Sequence, residues 1–239
     1  MAIYVERKNG IGSLNLSIRG VELARGERVL LSHVNLEAAT GDLIALLGPS
    51  GSGKTTLLRA IAGLDAFQRG CIEVGEARME GGGAASREEL RRLTRSVGFV
   101  FQFHCLFEHL SALQNVCLAP VHVARRPQHE AEQSGRQLLR ELGVEARADA
   151  WPRALSGGEA QRVAIARALA MNPPVLLMDE PMASLDQGRR AELGKLLQRL
   201  AGAGRTLLVT THDETFANRF ANRILTIREG QVVEGSSRS

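Results

Sequence analysis

The residues Gly48-Pro49-Ser50-Gly51-Ser52-Gly53-Lys54-Thr55 carry the sharpest chemical pattern in the chain. They read G-x-x-x-x-G-K-[ST], the spacing of a loop that wraps phosphate oxygens in backbone N–H groups. Glycines let those groups turn inward. The apolar run Leu43 to Leu47 ahead of the loop predicts a buried strand, and a helix is expected from about Lys54 to Ala62. The N-terminus of that helix adds a positive dipole. In this setting Lys54, with Thr56 close by, reaches the β- and γ-phosphates of a nucleotide, and the Thr55 hydroxyl can ligate Mg2+. A second run, Val175-Leu176-Leu177-Met178-Asp179-Glu180, delivers two carboxylates at the end of an apolar strand. That is the sheet edge where α/β proteins bind ligands. Asp179 suits Mg2+, directly or through water. Glu180 is expected to point differently, because side chains alternate along a strand, and so to polarise an attacking water as general base.

The rest of the chain must hold these groups in place. It has 239 residues, 44% apolar and 23% charged, which fits one soluble globular domain with a real core. Net charge is +4, but no Lys/Arg block dominates: Arg91-Arg92 with Arg95, and Arg125-Arg126, are short. An ordinary surface is therefore favoured over a nucleic-acid footprint, and no nucleic-acid partner is expected. Cys71, Cys105 and Cys117 form no C-x-x-C pair, which suits free thiols in a reducing compartment and argues against zinc. Residues 1–12 lack the apolar core of a signal peptide, and no stretch reaches ~18 apolar residues, so no bilayer span is expected.

Alternation at Leu14, Leu16 and Ile18, and at Val34 and Leu36, predicts two half-buried strands. Ser86 with Glu89 predicts a capped, charged helix over 87–95. Further strands are expected over 97–101, 175–178 and 206–210, with a closing hairpin of 224–227 and 231–233 around Glu229-Gly230. Helices are expected over 157–171 and 187–200. Residues from about 103 to 156 read as helical, broken at Pro120, Pro127 and Pro152. Strands alternating with helices imply an α/β fold with a mainly parallel sheet, interrupted by that helical block.

A third motif is Leu155-Ser156-Gly157-Gly158-Glu159-Ala160-Gln161-Arg162. Ser156 caps a helix, and the two glycines keep its N-terminus open to an anion. The motif resembles the signature of ABC ATPases. Other matches fall in family order: Gln102 resembles the Q-loop glutamine, Ser184-Leu185-Asp186 the D-loop, and His212 the switch histidine. The resemblance covers residues 14–235 or so. It implies a P-loop NTPase fold: a RecA-like core over about 13–102 and 157–239, an N-terminal antiparallel β-subdomain, and a helical subdomain over about 103–156. It also implies an ATP hydrolase whose cofactors are ATP and Mg2+. Lys54, Glu180 and His212 would be catalytic, and Thr55, Gln102 and Asp179 would serve the metal. The end of the helix at Ser156, Gly157, Gly158 and Glu159, together with Asp186, would meet nucleotide across a head-to-tail dimer. Membrane permease subunits, a second copy of the chain and, for importers, a separate substrate-binding protein are the implied partners. The implied location is the cytoplasmic face of a membrane.

Two departures stand out. The family stacks adenine on an aromatic ring upstream of the loop, yet no Phe, Trp or Tyr lies between Tyr4 and Phe67. Arg25 takes that position, and a guanidinium plane can also stack on a base; a solvated loop residue is the alternative. Glu180-Pro181-Met182-Ala183-Ser184-Leu185-Asp186 also differs from the family's E-P-T-S-A-L-D, though its carboxylates survive. The segment from Phe101 to Val116, extended by Ala119-Pro120, is similar to ATP-binding subunits of polar amino-acid importers. Subunits for lipoprotein release, macrolide export and phosphonate uptake share parts of it, and non-transport ABC ATPases form a more distant alternative.

Overall fold

The computed structural model describes residues 14–83, 85–183 and 185–235. The readings made of residues 1–12, of Ser184 and of the last four residues fall outside that range. In chain order, β1 (Leu14–Arg25), β2 (Arg28–Ala39), β3 (Leu43–Leu47), α1 (Lys54–Ile61), β4 (Arg69–Val74), β5 (Ala77–Glu80), α2 (Arg87–Ser96) and β6 (Val97–Val100) form the first part. The helices α3 (Ala112–His122), α4 (Gln128–Glu141) and α5 (Gly157–Leu169) follow. The chain then runs through β7 (Val175–Met178), α6 (Gln187–Gly202), β8 (Thr206–Thr211), α7 (Glu214–Phe220), β9 (Arg223–Arg228) and β10 (Gln231–Glu234).

Two sheets result. An antiparallel sheet has the order β2-β1-β4-β5, and a six-stranded sheet the order β10-β9-β3-β8-β7-β6. In the latter only β10 runs antiparallel to its neighbour. Its central strands β3, β7 and β8 are buried on both faces, which is why they read as apolar runs rather than alternating ones. Ile44, Leu46, Val175, Leu177 and Leu208 face one core, with α1 and the antiparallel sheet. Leu43, Leu176, Met178, Leu207 and Val209 face the other, with α3 to α6. Strands β3, β7 and β8 lie side by side, so their C-terminal ends form one edge.

Several local expectations are corrected. Residues 103–111 are not helical. His104 and Cys105 are consecutive left-handed residues, at φ 61° and 49°, and a right-handed helix cannot pass through them. Tertiary bonds hold this loop. Arg167 of α5 donates to the carbonyls of Cys105 at 2.6 Å and His104 at 2.8 Å. The wholly buried Asn115 bonds to Phe107, Leu110 and Ser111. Pro120 does not break α3 but sits in its last turn, two residues before the helix ends. Strands β4 and β5 and helix α7 are elements that pattern reading did not supply; each is short, with six, four and seven residues.

Candidate active site at the sheet edge

The loop after β3 crosses onto α1 through Gly53, which has φ 102° and whose added Cβ would lie 3.1 Å from the Leu31 side chain. A larger residue there would be strained by the positive φ and would push Leu31 aside by a few tenths of an ångström, so this crossing favours glycine. Lys54 opens α1 and is only 7% exposed. Its ammonium donates to the carbonyls of Gly48 at 2.7 Å and Pro49 at 3.1 Å. It also lies 3.7 Å from Glu180 Oε1. The hydroxyl of Ser52 is buried with no hydrogen-bond partner. A buried donor left unpaired costs free energy, and a phosphate oxygen in the loop would satisfy it. Gly48, Pro49, Ser50, Gly51, Ser52, Gly53, Lys54, Thr55 and Thr56 are thus one continuous cradle.

Asp179, 6% exposed, sits just past β7. Its Oδ1 accepts from the Thr55 hydroxyl at 3.0 Å and from the Thr210 hydroxyl at 2.7 Å. The sequence reading missed Thr210, which also receives the backbone N–H of Glu180 at 2.9 Å. A polar residue ending an apolar strand, one residue before Thr211 and two before His212, was the available signal. Glu180 is aimed by its own backbone and not by strand alternation, since β7 ends at Met178 and Glu180 has φ 44°. For a glutamate this left-handed conformation is uncommon and mildly strained. It turns the carboxylate back toward the loop and places Oε2 3.0 Å from His212 Nδ1. Lys54, Thr55, Asp179, Glu180 and His212 are therefore brought together.

Gln102 lies on the exposed turn after β6, next to the strand whose end bears Asp179. The residues of the third motif are not part of this cluster. Ser156 caps α5, accepting from Glu159 N at 3.4 Å, while the Glu159 carboxylate accepts from Ser156 N at 2.7 Å. That backbone bond is the main cause holding the Glu159 carboxyl below its usual range. Ser156, Gly158 and Glu159 line a cleft of about 160 Å³ with Leu185, Arg189 and Leu193. Asp186 caps α6, accepting from Arg189 N at 2.9 Å.

Beside the phosphate loop lies an open cleft of about 840 Å³, lined by Arg28, Val29, Pro49 to Ser52 and the β9–β10 turn. Arg25 stands opposite Arg28 where β1 turns into β2, exposed, and is not part of that lining. The Asp65 carboxyl is held down chiefly by its hydrogen bond to Arg59, with a smaller pull from Arg25. No aromatic side chain lines the cleft among the described residues.

Comparison with known proteins agrees with this geometry. The glutamine transport ATP-binding protein GlnQ of Bacillus subtilis is 38% identical over 219 residues, covering 92% of this chain and 89% of that protein. The L-cystine transport system ATP-binding protein TcyN of Escherichia coli is 41% identical, covering 87% of this chain and 84% of its own. The dimeric, post-hydrolysis structure of the ATP-binding cassette MJ0796 bound to ADP and Pi superposes with a TM-score of 0.82 at 34% identity. It covers 94% of this chain and 99% of that one. Residues 31–183 match the ABC transporter family, and the chain belongs to it.

Proposed function

We propose that this chain is the ATP-hydrolysing subunit that powers import of a polar amino acid through a separate membrane permease. The observation that carries the reading is the cluster at the sheet edge: one ammonium, two carboxylates, two hydroxyls and an imidazole converge on a glycine-rich loop. The relatives' names supply the cargo class: glutamine for GlnQ and L-cystine for TcyN. No helix among the described residues is long and apolar enough to cross a membrane. Phe103 is 82% exposed and Phe107 44%, on the loop after Gln102, an apolar surface fit for such a partner. Residues 103–156 act in this reading as a helical subdomain that presents this surface on the cytoplasmic face of the membrane.

The chemistry is positioning and electrostatics. The loop's N–H groups and the α1 N-terminus hold the phosphates of ATP, and Lys54 exchanges its loop carbonyls for phosphate oxygens. The bond between the Thr55 hydroxyl and the Asp179 carboxylate marks a pair of hard oxygen donors that fits Mg2+, with Gln102 within the same edge. When bound, Mg2+ neutralises charge on the phosphates. Glu180 takes a proton from the attacking water as general base. His212, against the Glu180 carboxylate, orients that base and meets the terminal phosphate. The end of α5 at Ser156 to Glu159, with Asp186, caps the nucleotide held by a second copy of the chain. Closure of that dimer drives the permease and hydrolysis reopens it. A substrate-binding protein completes an importer of this kind.

The test is capture from native membranes with Glu180→Gln protein, ATP and Mg2+, with partners identified by mass spectrometry. An amino-acid permease is expected. An export-type permease would overturn import yet leave the ATPase reading, and exclusively soluble partners would overturn transport.

A further inference from the structure

Arg190, in the first turn of α6, bonds in two directions. Its Nε donates to the backbone carbonyl of Leu185 at 2.9 Å. Its Nη1 donates to Asp213 Oδ2, also at 2.9 Å. Each acceptor belongs to a loop of consequence. Leu185 precedes Asp186, in the segment that the proposed function sets against a second subunit. Asp213 follows His212 directly. The second oxygen of Asp213 accepts from Phe216 N at 2.8 Å and so caps α7, while its N–H donates to Thr211 Oγ1 at 3.0 Å. The switch loop is therefore fixed from three sides, and Arg190 is the side that leads to Leu185.

The pair is half-buried, with Arg190 35% and Asp213 17% exposed. A planar guanidinium presents its donors in a rigid fork, so it can hold a backbone carbonyl and a carboxylate at once in fixed relative geometry. A lysine ammonium is a single point on a flexible stem and does not reproduce that fork. Neighbouring Arg189 is used differently: it pairs with Asp186 at 3.3 Å, on its own helix turn.

We infer that Arg190 is a positioning residue that ties the Leu185–Asp186 segment to the loop bearing His212, so that docking of a second subunit sets the catalytic imidazole. The inference rests on the proposed dimer, and the tests separate the two. Arg190→Ala is expected to lower kcat about 10-fold with KM for ATP unchanged, short of the ~10²-fold that a 1 Å misplacement can cost. Arg190→Lys should restore little of it. Asp213→Asn keeps the α7 cap, since Asn caps as well as Asp, and should show the same loss in a folded protein. In a His212→Ala background, Arg190→Ala should cost no more, because residues acting through one group are not additive. An equal loss in both backgrounds, or a fall in melting temperature with kcat intact, would overturn the inference and leave a plain helix staple. The dimer reading is read out apart: Glu180→Gln protein that fails to dimerise with ATP sinks it whatever Arg190 does.

Discussion

The edge of the six-stranded sheet and the N-terminus of α5 are the two regions to which the proposed function gives phosphate, and they differ in how far their groups are partnered within the chain. At the sheet edge nearly every group has a partner in the same chain. Asp179 accepts from two hydroxyls, Glu180 is bonded through its N–H and lies against His212, and Lys54 donates to two loop carbonyls. The α5 end has its capping box and one ion pair, Glu159 with Arg147 at 3.3 Å. A helix leaves its first four N–H groups without intrahelical partners, and the box pairs that of Glu159 with the Ser156 hydroxyl. A Cβ on Gly157 would meet nothing within 4 Å, and one on Gly158 would meet only Arg189. In the proposed reading one region is the cradle and the other the cap that a second copy of the chain presents to it.

The sharpest way to break that comparison is to disable each region and ask what the other still does. Glu180→Gln removes the base and keeps the cradle, so hydrolysis should fall by ~10²–10⁴-fold. ATP binding should persist and yield a dimer by light scattering; a monomer with ATP bound would break the pairing of cradle and cap. Ser156→Asp makes the reverse separation. Aspartate caps as well as serine and complements the helix dipole, so stability should hold to within ~0.5 kcal/mol. Its charge opposes an incoming phosphate, and turnover should drop by at least ~10-fold while one subunit's ATP affinity stays unchanged. Loss of that affinity would mean that the cap serves its own chain. Arg25→Ala should weaken ATP binding by about 2–5-fold, the worth of an exposed cation–π contact. Unchanged affinity in a calorimetric titration would remove Arg25 from the base site and leave the cleft lined by Arg28 and Val29.

The two regions were also unequally legible. The cradle is a contiguous motif because its geometry is local: strand, loop and helix follow one another, and Lys54 and Thr55 are placed by backbone spacing alone. Asp179 was legible for the same reason, at the end of β7. The turn of Glu180 was not, because it comes from a left-handed residue held by Thr210, 30 positions away. Nor was the non-helical stretch 103–111, where local pattern favours a helix and bonds from Arg167, 62 and 63 residues distant, impose left-handed backbone instead. Arg190 carries no motif and becomes visible only once α6 and α7 pack. Sequence pattern reports short-range geometry well; it is silent where distant donors decide a backbone angle.

The smallest expected effect concerns the contact between the loop after Gln102 and α5. His104 Nε2 lies 2.7 Å from Gln161 Oε1, and Gln161 is almost wholly buried. Burial pushes the His104 imidazole below its usual range; the Gln161 bond opposes this, and nearby Arg167 adds to the depression. A depressed histidine resists a proton that the unfolded chain accepts near its ordinary value of about 6.5. Its contribution to stability is therefore fully present above that value and is lost as pH falls through the folded one. Urea midpoints taken at about pH 7.5 and about pH 5.5 should show the wild type losing more stability than His104→Phe, which keeps a ring but cannot titrate. If ATP affinity falls in step with the urea midpoint in the wild type but not in the variant, the loop and the cradle share one stability; if only the midpoint moves, α5 and its loop open apart from the sheet edge.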